Sequence, residues 1–208
     1  MALGVSALVM GLAAILSGTQ TADELKWARA VELVPRYTRQ LENGNLRQRS
    51  DAIAGLLQLV PERDDDAIPP TFLSDTLPVL ARVARHDPAS DLRSGAMEVI
   101  GLLGPRAGSA VPALAAGLSD SVPAVRESAA LMLGLMGAPG KRAVPALRRA
   151  LQDASPRVRQ HAAASLGSLG AQEADDDLRR ALSDSDPYVR RQAQAALDVL
   201  RLKRLGQE

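Results

Sequence analysis

One pattern of eighteen residues occurs four times in the 208-residue chain, and it constrains the fold more than any other feature. The four copies are DPASDLRSGAMEVIGLLG (87–104), DSVPAVRESAALMLGLMG (120–137), DASPRVRQHAAASLGSLG (153–170) and DSDPYVRRQAQAALDVLR (184–201). Each copy begins with an Asp that precedes an Arg by six residues, and successive copies are offset by 33, 33 and 31 residues. A repeat of this period predicts one supersecondary unit per copy, with the units stacked side by side.

The spacing of apolar residues within each copy predicts a helix. Counted from the Arg, apolar side chains recur one residue before it and three, seven and ten residues after it, which places them on one face of an α-helix. A Gly follows at the eleventh position in three copies and predicts the helix end. In the fourth copy Arg201 stands there, so that helix is expected to continue through Leu205. A second column of glycines, in mid-helix, predicts either close approach of a neighbouring backbone or a curved helix: Gly101, Gly134 and Gly167.

A shorter helix is expected before each copy. Pro78, Pro112 and Pro145 mark its start in three units and Asp176 marks it in the fourth, because both residue types are favoured in a first helical turn. The linkers DSVP, DASP and DSDP predict tight turns with Pro at the first helical position and with Asp186 or Ser155 as N-caps. Each unit is therefore predicted to be a first helix (A), a turn and a second helix (B).

The Asp-x-x-Pro-x-Val-Arg turn, the Ala three residues after each Arg and the terminal Gly closely resemble the HEAT-repeat family. The likeness is to the short bacterial HEAT-like repeats, similar to those of phycobilin lyases, and it covers residues 73–203. It implies an all-α fold, a right-handed α-solenoid of about five stacked helical hairpins. The apolar residues near the start of the chain add a hydrophobic N-terminal helix to this expectation. It also implies polar ladders between neighbouring repeats, formed by the turn Asp and the helix-B Arg: Asp87, Arg93, Asp120, Arg126, Asp153, Arg159, Asp184 and Arg190.

The chain upstream of the repeats divides into three segments. Residues 1–22 contain the apolar run 2–16 and are interpreted as a membrane anchor, with a cleaved signal peptide or a first packed helix as alternatives. Residues 23–60 resemble a degenerate N-terminal repeat in which Arg47 or Arg49 takes the ladder position. Residues 61–72 form an acidic, Pro-rich loop, and residues 73–208 hold the HEAT-like repeats.

Basic residues follow the apolar segment closely, which favours a membrane-anchored protein with its soluble domain in the cytoplasm. A secreted or periplasmic protein and a soluble cytoplasmic protein are the alternatives.

No catalytic, cofactor or metal site is expected. The chain contains no Cys, which excludes thiolate nucleophiles and thiolate metal ligands. His161 has Gly95, Ser128 and Gln192 at the equivalent positions of the other copies, so no second ligand stands in register with it. The His-Glu dyads that hold iron in HEAT-type deoxyhypusine hydroxylases have no counterpart. We therefore expect a protein without enzymatic activity.

The expected function is a protein–protein interaction scaffold or adaptor, because solenoids present an extended binding surface. In the family this likeness suggests, helix B lines the concave face. The side of helix B opposite the apolar stripe falls one, four and five residues after each Arg, and Leu131 with Met97 would form an apolar anchor. The predicted partner-facing residues are Met97, Glu98, Glu127, Leu131, Gln160, Arg191 and Gln194.

Two alternative functions remain open from the sequence. One is a bilin lyase or chaperone of the phycobilin-lyase kind. The other is a nucleic-acid-binding solenoid of the alkylation-repeat type, for which the repeated pairs Arg148–Arg149 and Arg179–Arg180 are the candidate contacts. A net charge of +1 and an aromatic content of 2% argue against nucleic acid as the ligand.

Overall fold

The computed structural model describes residues 22–60, 68–69 and 71–205. These residues form ten α-helices, with no β-strand among them. In chain order the helices are α1 (Ala22–Asn43), α2 (Leu46–Leu59), α3 (Leu77–His86), α4 (Ser90–Leu102), α5 (Val111–Gly117), α6 (Pro123–Leu135), α7 (Val144–Ala150), α8 (Pro156–Leu169), α9 (Asp175–Ala181) and α10 (Pro187–Leu205). A π-helical turn (Phe72–Thr76) leads into α3, and 3₁₀ segments precede α5, α7 and α9 at Gly104–Ala110, Ala138–Ala143 and Gln172–Ala174.

The helices stack as five hairpins in the described residues. Each odd-numbered helix (an A helix) packs against the even-numbered helix that follows it (a B helix), and each B helix packs against the B helix of the next hairpin. The apolar stripe predicted for the B helices is buried between the layers: Val125, Ala129, Leu133 and Met136 of the third hairpin are all 0% exposed. The prediction of an all-α solenoid is confirmed.

The predicted helix boundaries are also observed. Proline is the first residue of α6, α8 and α10, and α10 continues to Leu205 as expected. The glycines after the other B helices, Gly104, Gly137 and Gly170, have φ values of 58°, 57° and 67°, in the left-handed region that side chains disfavour. One predicted cap is wrong: Asp186 accepts hydrogen bonds from the first-turn amides of α10, but Ser155 makes no such bond to α8. The Ser155 hydroxyl donates instead to Glu127.

The mid-helix glycines lie where consecutive B helices approach most closely. A Cβ atom at Gly134 would lie 2.5 Å from the Ser165 hydroxyl oxygen, and one at Gly167 would lie 2.8 Å from the Cα of Ala196. Ser165 is buried and donates a hydrogen bond of 2.6 Å to the Ala130 carbonyl of the preceding B helix. Of the two interpretations of these glycines, close backbone approach is the one that these contacts support.

Two predictions concern segments before the repeats that the structure describes only in part. The anchor predicted at residues 1–22 lies outside the described residues except for Ala22, at the start of α1. Within residues 22–60 and 71–205, no helix combines the length and the apolar character needed to cross a bilayer. Of the loop predicted at residues 61–72, residues 61–67 and 70 lie outside the described residues, whereas Thr71 is helical and Phe72, which begins the π-helical turn, is fully buried.

Candidate functional site

Ion pairs join successive hairpins at the N-terminal ends of the B helices. Arg93 donates through Nε and Nη2 to both carboxylate oxygens of Asp120 at 2.7 and 2.8 Å. The same bidentate pair links Arg126 to Asp153 at 2.7 and 2.9 Å, and Arg159 to Asp184 at 2.8 and 2.8 Å. Each Arg also donates through Nη1 to the backbone carbonyl of the Asp six residues before it in sequence. We call this series of pairs the ladder.

Each ladder Asp also shapes its own inter-helix turn. The Oδ1 atoms of Asp120, Asp153 and Asp184 accept hydrogen bonds from the backbone amides of Val122, Ser155 and Asp186 at 2.8–2.9 Å. One carboxylate therefore closes the turn within its hairpin and binds the Arg of the preceding hairpin. This double use explains why the Asp and the Arg recur at a fixed spacing.

The pairing changes the acidity of these groups. Hydrogen bonding to Arg93, Arg126 and Arg159 holds the pKa values of Asp120, Asp153 and Asp184, respectively, below their ordinary range. The same bonds raise the pKa of each of the three guanidinium groups. Both partners therefore stay charged at neutral pH, and each pair joins two successive hairpins.

The two ends of the ladder differ from its middle. At the first hairpin, Arg49 rather than Arg47 takes the ladder position, since its Nε lies 3.0 Å from Asp87 Oδ2 and its Nη1 donates to the Gly44 carbonyl. At the last hairpin, Arg190 donates through Nη1 to the carbonyls of Asp184 and Ser185 at 2.8 and 3.0 Å. No carboxylate among the described residues pairs with Arg190.

One predicted partner-facing residue is buried. Met97 is 0% exposed, and its side chain lies against Gly117 of α5. The position four residues after the ladder Arg faces the next hairpin rather than solvent, as the buried Ala130 and Ala163 also show. The assignment of Met97 to the partner-facing surface was wrong, and Gln194 of α10 is exposed at the same position.

The exposed side of the B helices forms a continuous strip, which we call the front face. It consists of the residues one, five and nine positions after each ladder Arg, which share one side of a helix. Of the predicted set it includes Glu98, Glu127, Leu131, Gln160 and Arg191, all partly or fully exposed. The third row, nine residues after the Arg, is absent from the predicted set, although it lies one further step of four residues along the same side of the helix. That row contains Leu102 (44% exposed), Leu135 (45%) and Val199 (37%).

A groove of about 840 Å³ opens at the end of the front face between α8 and α10. It is lined by Ser155, Pro156, Arg157, Gln160, His161, Asp186, Tyr188 and Arg191. The Arg191 guanidinium stacks on the Tyr188 ring, 5.1 Å from the ring centroid, and Tyr188 is 57% exposed. We call this the C-terminal groove. Gln160 and Arg191 belong to the predicted partner-facing set, whereas Arg157 and Tyr188, two residues before the ladder Arg, do not.

Burial is the main influence on the protonation state of His161. Burial lowers the pKa of the imidazole below its ordinary value; Glu127 opposes this shift and Arg157 adds to it. His161 is therefore neutral at pH 7. The described residues contain no cluster of His, Cys, Asp or Glu that could hold a metal ion.

The basic pairs on the A helices are largely neutralised. Arg148 of α7 and Arg180 of α9 both pair with Asp177, and Arg179 pairs with Asp175. Arg149 is exposed and forms no ion pair with a described residue. Three of these four arginines are therefore matched by a carboxylate of α9.

Known structures share this architecture. An engineered protein gives a TM-score of 0.62 at 16% identity, covering 80% of this chain and 78% of that one. The complex of CpcE and CpcF of phycocyanin lyase from Nostoc sp. PCC7120 gives 0.57 at 22% identity, covering 80% and 98%. Human deoxyhypusine hydroxylase gives 0.54 at 20% identity, covering 86% and 67%. Likeness at these identities shows the fold alone. No curated protein sequence matches the chain.

The sequence pattern identifies the family directly. The model of HEAT repeats matches residues 77–144 and again residues 112–198. Together these matches span more than half of the chain, and they contain the three bidentate pairs that join the last four hairpins. The chain belongs to the family of HEAT-repeat proteins.

Proposed function

We propose that this protein is a non-catalytic scaffold that binds another protein on its front face. One observation carries the proposal: every large apolar side chain that is exposed in the described residues belongs to a B helix. These side chains are Leu46, Leu102, Leu131, Leu135, Tyr188, Val199, Leu202 and Leu205. Four of them, Leu102, Leu131, Leu135 and Val199, lie on the front face, and exposed apolar side chains gathered on one face are typical of an interaction surface.

The centre of the front face has the composition of a binding site. Leu131 and Leu135 lie one turn apart on α6, and Leu102 lies on the adjoining helix α4. Glu98 and Glu127 border these leucines and are themselves exposed or partly exposed. An apolar centre with a polar border is the usual anatomy of a protein–protein interface. Burying three leucines against a partner removes apolar area from water, which is the main favourable contribution to association.

The stacking of the hairpins does not require these leucines. The positions five and nine residues after the ladder Arg hold Ala164 and Ser168 on α8, where the fold is the same. The three leucines of α4 and α6 therefore add surface properties that the small residues of α8 do not provide. This difference favours a specific surface on α4 and α6 over a general requirement of the fold.

Affinity capture from the source organism with matched variants tests the proposal. The front variant is Leu131→Glu with Leu135→Glu. The control variant is Ala116→Glu with Gln152→Glu, which makes the same change in charge at exposed neutral positions on the A-helix side. We expect proteins captured by the wild type and by the control to be absent from the front variant, with circular dichroism showing both variants folded. Identical capture by the two variants would make the front-face assignment wrong.

The same preparations separate the alternative functions. Covalent bilin addition, measured by absorbance, would indicate a lyase function such as that of the phycocyanin lyase to which CpcE and CpcF belong. A salt-dependent gel shift with DNA or RNA would indicate nucleic-acid binding. Under the scaffold proposal neither signal appears above that of an unrelated protein.

A further inference from the structure

The C-terminal groove has a charge pattern that the rest of the front face lacks. Two residues before the ladder Arg, the four hairpins of the repeat carry Asp91, Ala124, Arg157 and Tyr188; one residue after it they carry Ser94, Glu127, Gln160 and Arg191. The first two hairpins are therefore acidic or neutral at these positions, and the last two carry two arginines and a tyrosine. All four B helices begin three residues before the ladder Arg, and each packs against the B helix that precedes it, so the fold does not require this change.

The acidic side chains at the groove are already engaged. Asp186 Oδ1 accepts hydrogen bonds from the backbone amides of Tyr188 and Val189 at 2.8 and 3.1 Å, where the positive end of the α10 dipole offsets its charge. Glu127, at the rim, accepts a hydrogen bond of 3.2 Å from the Ser155 hydroxyl. Neither carboxylate neutralises the arginines of the groove by a direct ion pair.

The two arginines are available to a ligand. Arg157 and Arg191 are exposed, and neither forms an ion pair with a described residue. Stacking on Tyr188 restricts the Arg191 guanidinium while leaving its N–H groups at the edge free to donate. Arginine binds carboxylates through two parallel N–H donors, as the ladder shows three times in this chain.

We propose that the C-terminal groove binds an acidic segment of a partner protein, with its carboxylates on Arg157 and Arg191 and an apolar side chain against Tyr188. This inference rests on the scaffold function and names the chemistry of the partner. A protein segment fits better than a nucleic acid because single-stranded nucleic-acid sites stack several bases on aromatic side chains, whereas Tyr188 and the half-buried His161 are the only aromatic rings among the described residues that line the groove.

Fluorescence anisotropy with three labelled probes tests the proposal on the full chain. The first probe is a short peptide rich in Glu with one Leu, the second has every Glu replaced by Gln, and the third is a single-stranded oligonucleotide of similar length. We expect the Glu peptide alone to bind, more weakly as salt is added. Its affinity should fall at least about tenfold in the variant Arg157→Glu with Arg191→Glu, because two charge-assisted contacts are lost.

The matched control is Arg85→Glu with Arg149→Glu, which makes the same change in charge at exposed positions of the A helices. It should leave the affinity within about twofold. An equal loss in both variants would show a non-specific charge effect and overturn the proposal. So would the absence of Glu-peptide binding at about 1 mM, or tighter groove-dependent binding of the oligonucleotide, which would assign the groove to nucleic acid.

Affinity capture distinguishes failure of this inference from failure of the scaffold function. If the groove variant retains the proteins that the Leu131/Leu135 variant loses, the acidic-segment inference is wrong and the scaffold function stands. If neither variant loses a captured protein, the scaffold function itself is wrong. Loss of the same proteins from both variants supports both proposals.

Discussion

The third and fifth hairpins have the same sequence pattern, but equivalent residues in them differ in burial and in ion pairing. In α6, Leu133 is fully buried, Gly134 lies against Ser165 of the next B helix and Arg126 is paired with Asp153. In α10 the equivalent residues are Leu197, which is only partly buried, Asp198, which is exposed, and Arg190, which has no carboxylate partner among the described residues. The third hairpin has a described hairpin packed on each side, whereas the fifth has one on a single side.

The difference between the two hairpins distinguishes the residues that fold a single hairpin from the residues that allow another hairpin to pack on it. The Asp-capped turn and the buried Ala column are present in both hairpins, so they belong to the single unit. Glycine eight residues after the ladder Arg is present in α6 and absent from α10, so it belongs to the contact with a following hairpin. The substitutions below compare equivalent positions in the two hairpins.

The largest difference is expected at the buried leucine position. Leu133→Ala should lower the free energy of unfolding by about 3 to 4 kcal/mol, because the fully buried side chain leaves a cavity. Leu197→Ala should cost about 1 kcal/mol, since Leu197 is already partly exposed. Urea unfolding followed by circular dichroism measures both values. Equal losses would mean that α10 is packed as tightly as α6.

The ladder arginines should differ almost as much. Arg126→Ala should cost about 3 kcal/mol, because it leaves the Asp153 carboxylate, which is only 12% exposed, without its bidentate partner. Arg190→Ala should cost about 0.5 kcal/mol or less, the usual value for an exposed side chain. The same urea experiment applies. A loss at Arg190 as large as that at Arg126 would show that the bonds to backbone carbonyls, common to both, carry the stabilisation.

Much of this architecture was predictable because the repeat displays it four times. The same features recur in register in the copies: the spacing between arginines, the apolar stripe and the glycine at the helix end. A chance resemblance in one copy is therefore recognised by comparison with the others. The first hairpin lacks that redundancy. From the sequence, Arg47 and Arg49 were equally good ladder candidates, and only the contact of Arg49 with Asp87 decides between them.

The candidate site was less predictable, for a physical reason. A helical wheel separates the buried side of a helix from the opposite side, but it does not show which flank the neighbouring hairpin covers. Met97 was therefore assigned to solvent although α5 covers it. The C-terminal groove was missed because Arg157 and Tyr188 lie on different helices, and their proximity depends on the packing of α8 against α10.

Acid should weaken the ion pairs of the ladder, and the effect should depend on whether the Arg has a carboxylate partner. The folded-state pKa values of Asp120, Asp153 and Asp184 are lowered by their arginines. This stabilisation is therefore fully present above the unfolded-state pKa of about 3.9 and is lost as the pH falls through the lower folded-state values. The urea concentration at the midpoint of unfolding, measured from pH 7 to pH 2, should decrease once the pH is below about 4.

The acid prediction has its own pair of controls. The Arg126→Ala protein should lose less stability over this range than the wild type, because Asp153 no longer has a carboxylate pKa lowered by Arg126. The Arg190→Ala protein should follow the wild-type curve closely. If the Arg126→Ala curve ran parallel to the wild type, the pair would not be a source of acid sensitivity.

The smallest difference is expected at the position eight residues after the ladder Arg. Alanine is a better helix former than glycine by about 1 kcal/mol, so Gly167→Ala would stabilise an isolated helix. Here the added Cβ would lie 2.8 Å from the Cα of Ala196, a backbone atom, and α8 and α10 would have to separate. We expect a net loss of about 1 kcal/mol, against a change within about 0.5 kcal/mol for the exposed Asp198→Ala. Thermal unfolding shows whether each substitution raises or lowers the stability. A more stable Gly167→Ala protein would mean that the helices separate at little cost and that close approach does not explain this glycine.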